Sequence, residues 1–206
     1  MNEVIIIGGG YSVKEGIEKG LWNKIKGKTV WSLNYAYKVM SYLPTAELWV
    51  DSTFFKENAS DLQLLAKKGV KLYAKKHPMY AFIDEIKQFE TTRSREYFDK
   101  FIYIGSQGLV GFFALSLAVK FFKFDRIFIL GYDYNAKGNI THFYQDKIHH
   151  KGVGKVSVYL NRNGSVKREV KDFDVYKNYN IYNVSLESNI QTFPKISYEE
   201  FFEMIR

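Results

Sequence analysis

Short apolar runs alternate with longer helical segments along the first two-thirds of the chain. Runs with the length and the β-branched or aromatic content of buried strands lie at residues 4–7, 29–33, 47–50, 70–74, 101–104 and 126–130. Segments typical of helices lie at residues 11–21, 52–68 and 109–122. Strands that alternate with helices in this way predict an α/β fold: a single Rossmann-like open, mostly parallel sheet with helices on both faces.

The remaining segments are less regular. Residues 77–100 are polar and mixed, and we expect a helical excursion over an edge of the sheet. A polar loop, a small β-hairpin with an Asn-Gly turn, a last strand and a helix capped by Ser197 are expected at residues 135–154, 156–170, 180–184 and 198–206. The prediction is one nucleotide-binding domain over residues 1–206, with a loop and hairpin excursion at about 135–178.

Composition narrows the class of protein. The 206 residues carry a net charge of +8, but the 30 Lys and Arg are scattered in small groups, which favours a solvated basic surface over a specific nucleic-acid site. Weak contact with an anionic surface and oligomer formation stay open. Lys120 interrupts the longest apolar stretch, which is shorter than the roughly 20 residues of a membrane span, and no export signal is visible. We expect a cytoplasmic protein without a membrane span.

The first strand runs directly into Gly8-Gly9-Gly10, followed by Ser12. Glycines between a buried strand and a helix let backbone N–H groups approach a phosphate closely, so this turn predicts nucleotide binding. A turn that only packs a helix against the sheet is the structural alternative. Val13 and Asn34 stand where a dinucleotide site has a glycine and an acidic residue, and no P-loop Lys-Ser/Thr pair follows.

Small or polar residues also follow the other predicted strands. Since ligands bind beyond the carboxyl ends of parallel strands, we expect these residues to line one nucleotide-binding cleft. The expected set is Gly8, Gly9, Gly10, Ser12, Asn34, Asp51, Ser106, Gly108, Gly131 and Asp133. Individually, Asp51 and Asp133 are also typical caps, and Asn34 is a typical turn residue.

The order of these motifs resembles a Rossmann-like group of enzymes. The sequence has a glycine-rich strand end with Ser12, then Asn34, Asp51, Ser106-x-Gly108 before an apolar helix, Gly131-x-Asp133, and a late Asn-x-Ser-x-x-Ser. This order is similar to that of the bacterial CMP-sugar sialyltransferases and of the 6-hydroxymethylpterin diphosphokinase-like proteins of bacteria, archaea and phages. The resemblance extends from Val4 to about Pro194.

The sialyltransferase resemblance implies a glycosyltransferase that moves a sugar from a nucleotide donor to a glycan acceptor. By motif match it adds Ser185 and Ser188 to the nucleotide site, and it implies a histidine base and tyrosines that steady the leaving phosphate. The candidates are His142, His149, His150, Tyr134 and Tyr144. The chain departs from the family pattern at Tyr11, which replaces a proline, and at Asn135, where a tyrosine is usual.

Two alternatives accompany this interpretation. The diphosphokinase resemblance implies phosphoryl transfer from ATP, with Mg²⁺ held by Asp51 and Asp133; the sugar-transfer interpretation does not require the metal. The other alternative is a non-catalytic binding or assembly protein that keeps the fold and uses its basic surface for an anionic partner.

Overall fold

The computed structural model describes residues 2–80, 83–135, 142–148 and 170–206. The strands are β1 (Glu3–Ile7), β2 (Val30–Leu33), β3 (Ala46–Trp49), β4 (Lys71–Lys75), β5 (Ile86–Phe89), β6 (Thr91–Thr92), β7 (Ile102–Tyr103), β8 (Arg126–Leu130) and β9 (Ile181–Asn183). The α-helices are α1 (Val13–Glu18), α2 (Leu21–Lys24), α3 (Ser52–Lys67), α4 (Val110–Ser116) and α5 (Tyr198–Met204). Short 3₁₀ segments include Asn34–Val39 and Phe173–Tyr176.

Seven strands form one sheet in the order β5-β4-β3-β2-β1-β8-β9, and every pairing in it is parallel. The predicted α/β, Rossmann-like open sheet is therefore confirmed. Along the chain the sheet grows from β1 to β5 in one direction and then continues on the other side of β1 with β8 and β9. The central strands are mostly apolar because both faces of the sheet are covered, although β2 and β3 each carry one buried polar residue, Ser32 and Glu47.

Alternate residues of each central strand enter two separate hydrophobic cores. Ile5 and Ile7 face a core that includes residues of α1, α3 and α5, whereas Val4 and Ile6 face a core built largely from α4 and Phe173–Tyr176. Successive side chains of a strand point to opposite faces of the sheet, so each central strand contributes to both cores. The sheet is therefore the middle of three layers. At the back of α1, a Cβ on Gly16 would lie 2.5 Å from Cζ of Tyr198 in α5, so the absent side chain lets these helices pack closely.

Residues 77–100 differ from the predicted helical excursion. Ile86–Phe89 extends the sheet as an edge strand beside β4, and Arg95–Tyr97 forms only a 3₁₀ turn. Residues 101–104, expected in the main sheet, instead provide β7, which pairs with β6 in a separate two-stranded sheet. An edge strand has one pairing partner and half-exposed side chains, so its polar sequence lacked the continuous apolar run of a central strand.

Two predicted helices are interrupted. Gly20, with φ +81°, separates α1 from α2, because the left-handed conformation cannot continue a helix. After Ser116, α4 continues as a π-helical turn over Leu117–Phe121 and ends before Lys123, whose φ is +53°. The helices predicted at 52–68 and 198–206 are confirmed, and Ser197 and Glu200 form the expected capping box.

The predicted hairpin at residues 156–170 lies almost wholly outside the described residues; Val170, its last residue, is helical. Across the described ranges, no helix has both the length and the apolar character needed to cross a membrane.

Candidate functional site

The carboxyl ends of β1 and β8 form the point at which the sheet reverses its direction of growth. These strands are neighbours, paired from Glu3 with Arg126 to Ile7 with Leu130. The chain leaves β1 toward one side of the sheet and leaves β8 toward the other, so the two connecting segments diverge and leave a crevice. In open α/β sheets, ligands bind in such a crevice.

The glycine turn after β1 is pressed against the end of β8. The backbone N–H of Gly8 donates to the Leu130 carbonyl at 2.8 Å, and that of Gly10 donates to the Gly131 carbonyl at 2.8 Å. A Cβ on Gly10 would lie 2.6 Å from the Gly131 oxygen, and one on Gly131, whose φ is +69°, would lie 2.8 Å from a methyl group of Val13. Glycine is therefore required here for close packing of the two turns.

Asp133 occupies the space in front of α1. Its Oδ2 accepts the Ser12 backbone N–H at 2.8 Å, and its Oδ1 accepts the Ser12 hydroxyl at 2.5 Å. Burial raises the pKa of Asp133 above its ordinary value, while the hydrogen bonds from Ser12 act in the opposite direction. A nucleotide phosphate at this turn would compete with the carboxylate for the Ser12 amide, and the Gly8 and Gly10 amides already have protein acceptors. Phosphate binding by the glycine turn stays a prediction.

The segment after β9 completes this side of the crevice. The buried Ser185 side chain lies beside Asp133, and the Ser188 hydroxyl donates to the Tyr132 carbonyl at 2.7 Å. The Asn189 backbone N–H donates to the Asp133 carbonyl at 2.8 Å. The late Asn-x-Ser-x-x-Ser motif, found only through the family resemblance, is therefore brought beside Gly131 and Asp133.

His142 and Tyr144 lie directly over the glycine turn. The Phe143 backbone N–H donates to the Gly9 carbonyl at 2.9 Å, and a Cβ on Gly9 would lie 2.5 Å from Cδ2 of His142 and 3.0 Å from the Tyr144 hydroxyl. An ion pair of 2.8 Å between Lys14 and Asp146 attaches the same segment to α1. Two candidate catalytic side chains thus stand at the crevice.

Tyr134, the third candidate that the structure describes, follows Asp133 directly. It adopts a φ of +52°, and its ring packs edge-on against Phe173 at 5.1 Å. Tyr134 therefore leaves the crevice toward the core that contains α4. The other two candidates, His149 and His150, lie outside the described residues.

Asn34 and Asp51 stand at the ends of β2 and β3, away from β8. Asn34 begins the 3₁₀ segment with a φ of +53°, and the ring of the following Tyr35 lies 6.1 Å from that of Tyr144, so this segment adjoins the one that carries His142. Asp51 caps α3 by accepting the Thr53 backbone N–H at 2.8 Å. Within the described ranges, no group of three or more His, Asp or Glu residues could hold a metal ion.

Ser106 and Gly108 lie on the connection from β7 to α4, on the other face of the sheet. The Ser106 backbone N–H donates to Oδ2 of Asp172 at 2.9 Å, and Gly108 has a φ of +77° and packs against the guanidinium of Arg93. Since β7 is not part of the main sheet, these residues belong to a second group of polar side chains around Asp172.

Sequence reasoning missed the outer wall of the crevice. The Tyr11 hydroxyl donates to a carboxylate oxygen of Glu187 at 2.5 Å, and the Asn135 side-chain amide donates to the Glu187 carbonyl at 2.6 Å. Burial, together with the hydrogen bond to Glu187, raises the pKa of Tyr11 well above its ordinary value. Tyr11 and Asn135 are also the two positions at which the sequence departs from the family pattern. That both depart together was the one sign in the sequence that they share a contact.

The crevice brings an imidazole, tyrosine hydroxyls and a buried carboxylate together at the switch point. An imidazole titrates near neutral pH and can accept a proton from a substrate hydroxyl, and tyrosine hydroxyls can donate to developing negative charge. The arrangement can therefore support group transfer to a hydroxyl.

No family model matches the chain, and no curated protein matches it. Among solved structures, it is similar to the MAf glycosyltransferase from Magnetospirillum magneticum AMB-1, with a TM-score of 0.58 and 15% sequence identity. The match covers 96% of this chain and 34% of the other, so the chain spans about a third of that protein's length. At this identity the likeness shows the fold: a Rossmann-like open sheet shared with a glycosyltransferase.

Proposed function

We propose that the protein is a transferase that moves a sugar from a nucleotide donor to a hydroxyl of a glycan acceptor, at the crevice between β1 and β8. The observation that carries the proposal is the position of His142, whose ring lies against Gly9 at the switch point of the sheet. His142 would act as the general base, and Tyr144, whose ring centroid lies 5.2 Å from that of His142, would steady the leaving phosphate.

The donor would lie along the strand ends between Asn34 and Ser185. Asn34 is suited to a base or ribose, because its buried Oδ1 has no hydrogen-bond partner among the described residues. The donor phosphate would lie outside the glycine turn, since Asp133 holds the Ser12 amide. A CMP-sugar donor, and the cytoplasmic location expected from the sequence, are the finer parts of the proposal; fold similarity to a glycosyltransferase supports sugar transfer in general.

A thermal-shift panel tests the proposal. The purified chain is heated with CMP, CDP, UDP, ADP or ATP, each with and without Mg²⁺. A ligand at about 100 times its Kd stabilises a protein by roughly 2.7 kcal/mol. We expect stabilisation by a pyrimidine nucleotide without metal. A response to ATP that requires Mg²⁺ would instead favour diphosphokinase chemistry.

The absence of any nucleotide response would contradict both enzymatic interpretations and favour a binding or assembly protein. A control for the location of the site is Asn34→Asp, which places a negative charge where the donor is expected but keeps the side-chain size. If nucleotide stabilisation is equal in Asn34→Asp and wild type, the donor does not bind at this edge.

A further inference from the structure

A pocket of about 430 Å³ opens on the face of the sheet opposite α1. Its lining consists of Arg93, Ser94, Arg95, Tyr103, Ser106, Lys171 and Asp172. Pockets that bind small molecules typically measure about 300 to 1,000 Å³, so the space suits a small ligand. It is separate from the Asp133 crevice, since Ser106 and Asp172 lie with α4.

The charge of the pocket is strongly positive. It contains three cationic side chains against the single carboxylate of Asp172. That carboxylate accepts Arg95 Nη2 at 2.8 Å and the Ser106 backbone N–H at 2.9 Å, so it orients Arg95 and the loop before α4. Arg93 and Lys171 make no ion pair with any residue that the structure describes. The pocket therefore has a surplus of cations.

Buried hydroxyls lie at the floor of the pocket. Tyr103 is fully buried, and its hydroxyl lies beside Arg95 and Asp172 without a well-formed hydrogen bond in the described part of the chain. The same holds for the buried hydroxyl of Ser106, beside Asp172. Since a buried hydroxyl is stabilised by a well-formed hydrogen bond, these groups favour a ligand that accepts hydrogen bonds.

Gly108 has no side chain, and this allows the guanidinium of Arg93 to lie against its backbone. Its φ is +77°, and a Cβ there would lie 2.8 Å from Nη2 of Arg93. The guanidinium of Arg93, an exposed residue, therefore packs on the bare backbone of Gly108 at the edge of the pocket. An Arg so placed offers its planar fork to oxyanions.

We propose that this pocket binds the phosphate or diphosphate group of a small metabolite, held by Arg93, Arg95 and Lys171 and by the hydroxyls of Tyr103 and Ser106. The inference does not depend on sugar transfer at the β1–β8 crevice. Phosphate oxygens can accept hydrogen bonds from all five side chains.

Calorimetric titration with inorganic pyrophosphate, at constant ionic strength, tests the proposal on the full chain. Wild type is expected to bind, and Arg93→Gln and Lys171→Gln are each expected to weaken binding about tenfold, the effect of one charge-assisted hydrogen bond. Lys56→Gln, which removes an exposed cation on α3, is the matched control and should bind like wild type.

Three results would overturn the proposal: no binding of pyrophosphate to wild type, equal affinities of Arg93→Gln and wild type, or equal affinities of wild type for citrate and pyrophosphate, which would show a general anion site without selectivity for phosphate. Circular dichroism of each variant shows whether it is folded. Failure of the nucleotide panel leaves this titration unaffected, because pyrophosphate carries no base or sugar.

Discussion

Asp133 accepts both the backbone N–H and the hydroxyl of Ser12, at 2.8 and 2.5 Å, and so joins the turn after β1 to the end of β8. Both residues are buried. The two residues occupy the place where the sequence predicts a phosphate. A phosphate would bind to a backbone N–H of this turn, and Asp133 accepts such an N–H from Ser12. The anion in the structure is the protein's own carboxylate.

Ser12→Ala should lower the free energy of unfolding by about 1–3 kcal/mol, because one buried carboxylate oxygen loses its hydroxyl donor. Urea denaturation monitored by tryptophan fluorescence measures the change. Ser41→Ala removes an exposed hydroxyl and should change stability by less than about 0.5 kcal/mol. Equal effects of the two variants would mean that the hydroxyl of Ser12 does not stabilise the crevice.

Glu47→Gln should flatten the pH dependence of stability. Glu47 is fully buried in β3, and the hydroxyl of Ser32 in β2 donates to it. Burial raises the pKa of Glu47 well above its ordinary value of 4.5, an effect that outweighs the lowering by its hydrogen bonds. The stability that Glu47 contributes is therefore fully present below pH 4.5 and is lost as the pH rises through the folded-state pKa.

Between those two pKa values, wild type should lose about 1.4 kcal/mol per pH unit relative to Glu47→Gln, since only the unfolded chain releases the proton. Denaturation curves at several pH values from 5 upward give this difference. Glu18→Gln, an exposed substitution in α1, should parallel wild type. A difference between Glu47→Gln and wild type that stays constant with pH would show that Glu47 ionises alike in both states.

Gly9→Ala should detach the segment that carries His142 from the glycine turn, because the new methyl group would lie 2.5 Å from the imidazole and 3.0 Å from the Tyr144 hydroxyl. We expect the protection of the Phe143 amide against hydrogen exchange to fall about tenfold, which corresponds to ~1.4 kcal/mol. The Val184 amide, bonded to Ile129, is the internal control and should keep its protection. Unchanged protection of Phe143 would show that the segment is held by other contacts.

His142→Gln should slow sugar transfer or donor hydrolysis about 10²- to 10⁴-fold, the usual contribution of general base catalysis, while stabilisation by the nucleotide is retained. Product formation from a CMP-sugar measures the rate. His77→Gln is the matched control, because His77 follows β4 and its Nδ1 accepts the Met79 backbone N–H, away from β1 and β8. If both variants react at the wild-type rate, His142 is not the base.

The central strands could be predicted because burial on both faces gives them continuous apolar runs, as in Val4 to Ile7 and Ile127 to Leu130. The small and polar residues after those strands were equally visible, and the structure brings Gly8, Gly10, Ser12 and Asp133 together. Ile86–Phe89 was not recognised as a strand, because two of its four residues are polar and it is paired on one side only.

The second group of polar residues could not be predicted for a different reason. Arg95 and Asp172 are 77 residues apart in the chain, and nothing in either local sequence indicates that they pair. Ser106 and Gly108 were identified as candidate ligand-binding residues, but they were placed with the strand ends because β7 was expected in the main sheet. The hydrogen bonds of Glu187 with Tyr11 and Asn135 were not foreseen, since they depend on how the segment after β9 folds back.

The pairing of β1 with β8 has a consequence for the order of assembly during synthesis. Ser12 and Asp133 are 121 residues apart, so at about 5–20 residues per second the ribosome needs roughly 6 to 24 s to deliver the second after the first. β1 can pair with β2 once residues 30–33 have been synthesised, but the other edge of β1 has no neighbouring strand until β8 follows. The crevice is therefore among the last parts of the molecule to form, and a nascent chain shorter than about 130 residues exposes an apolar strand edge on which a chaperone can act.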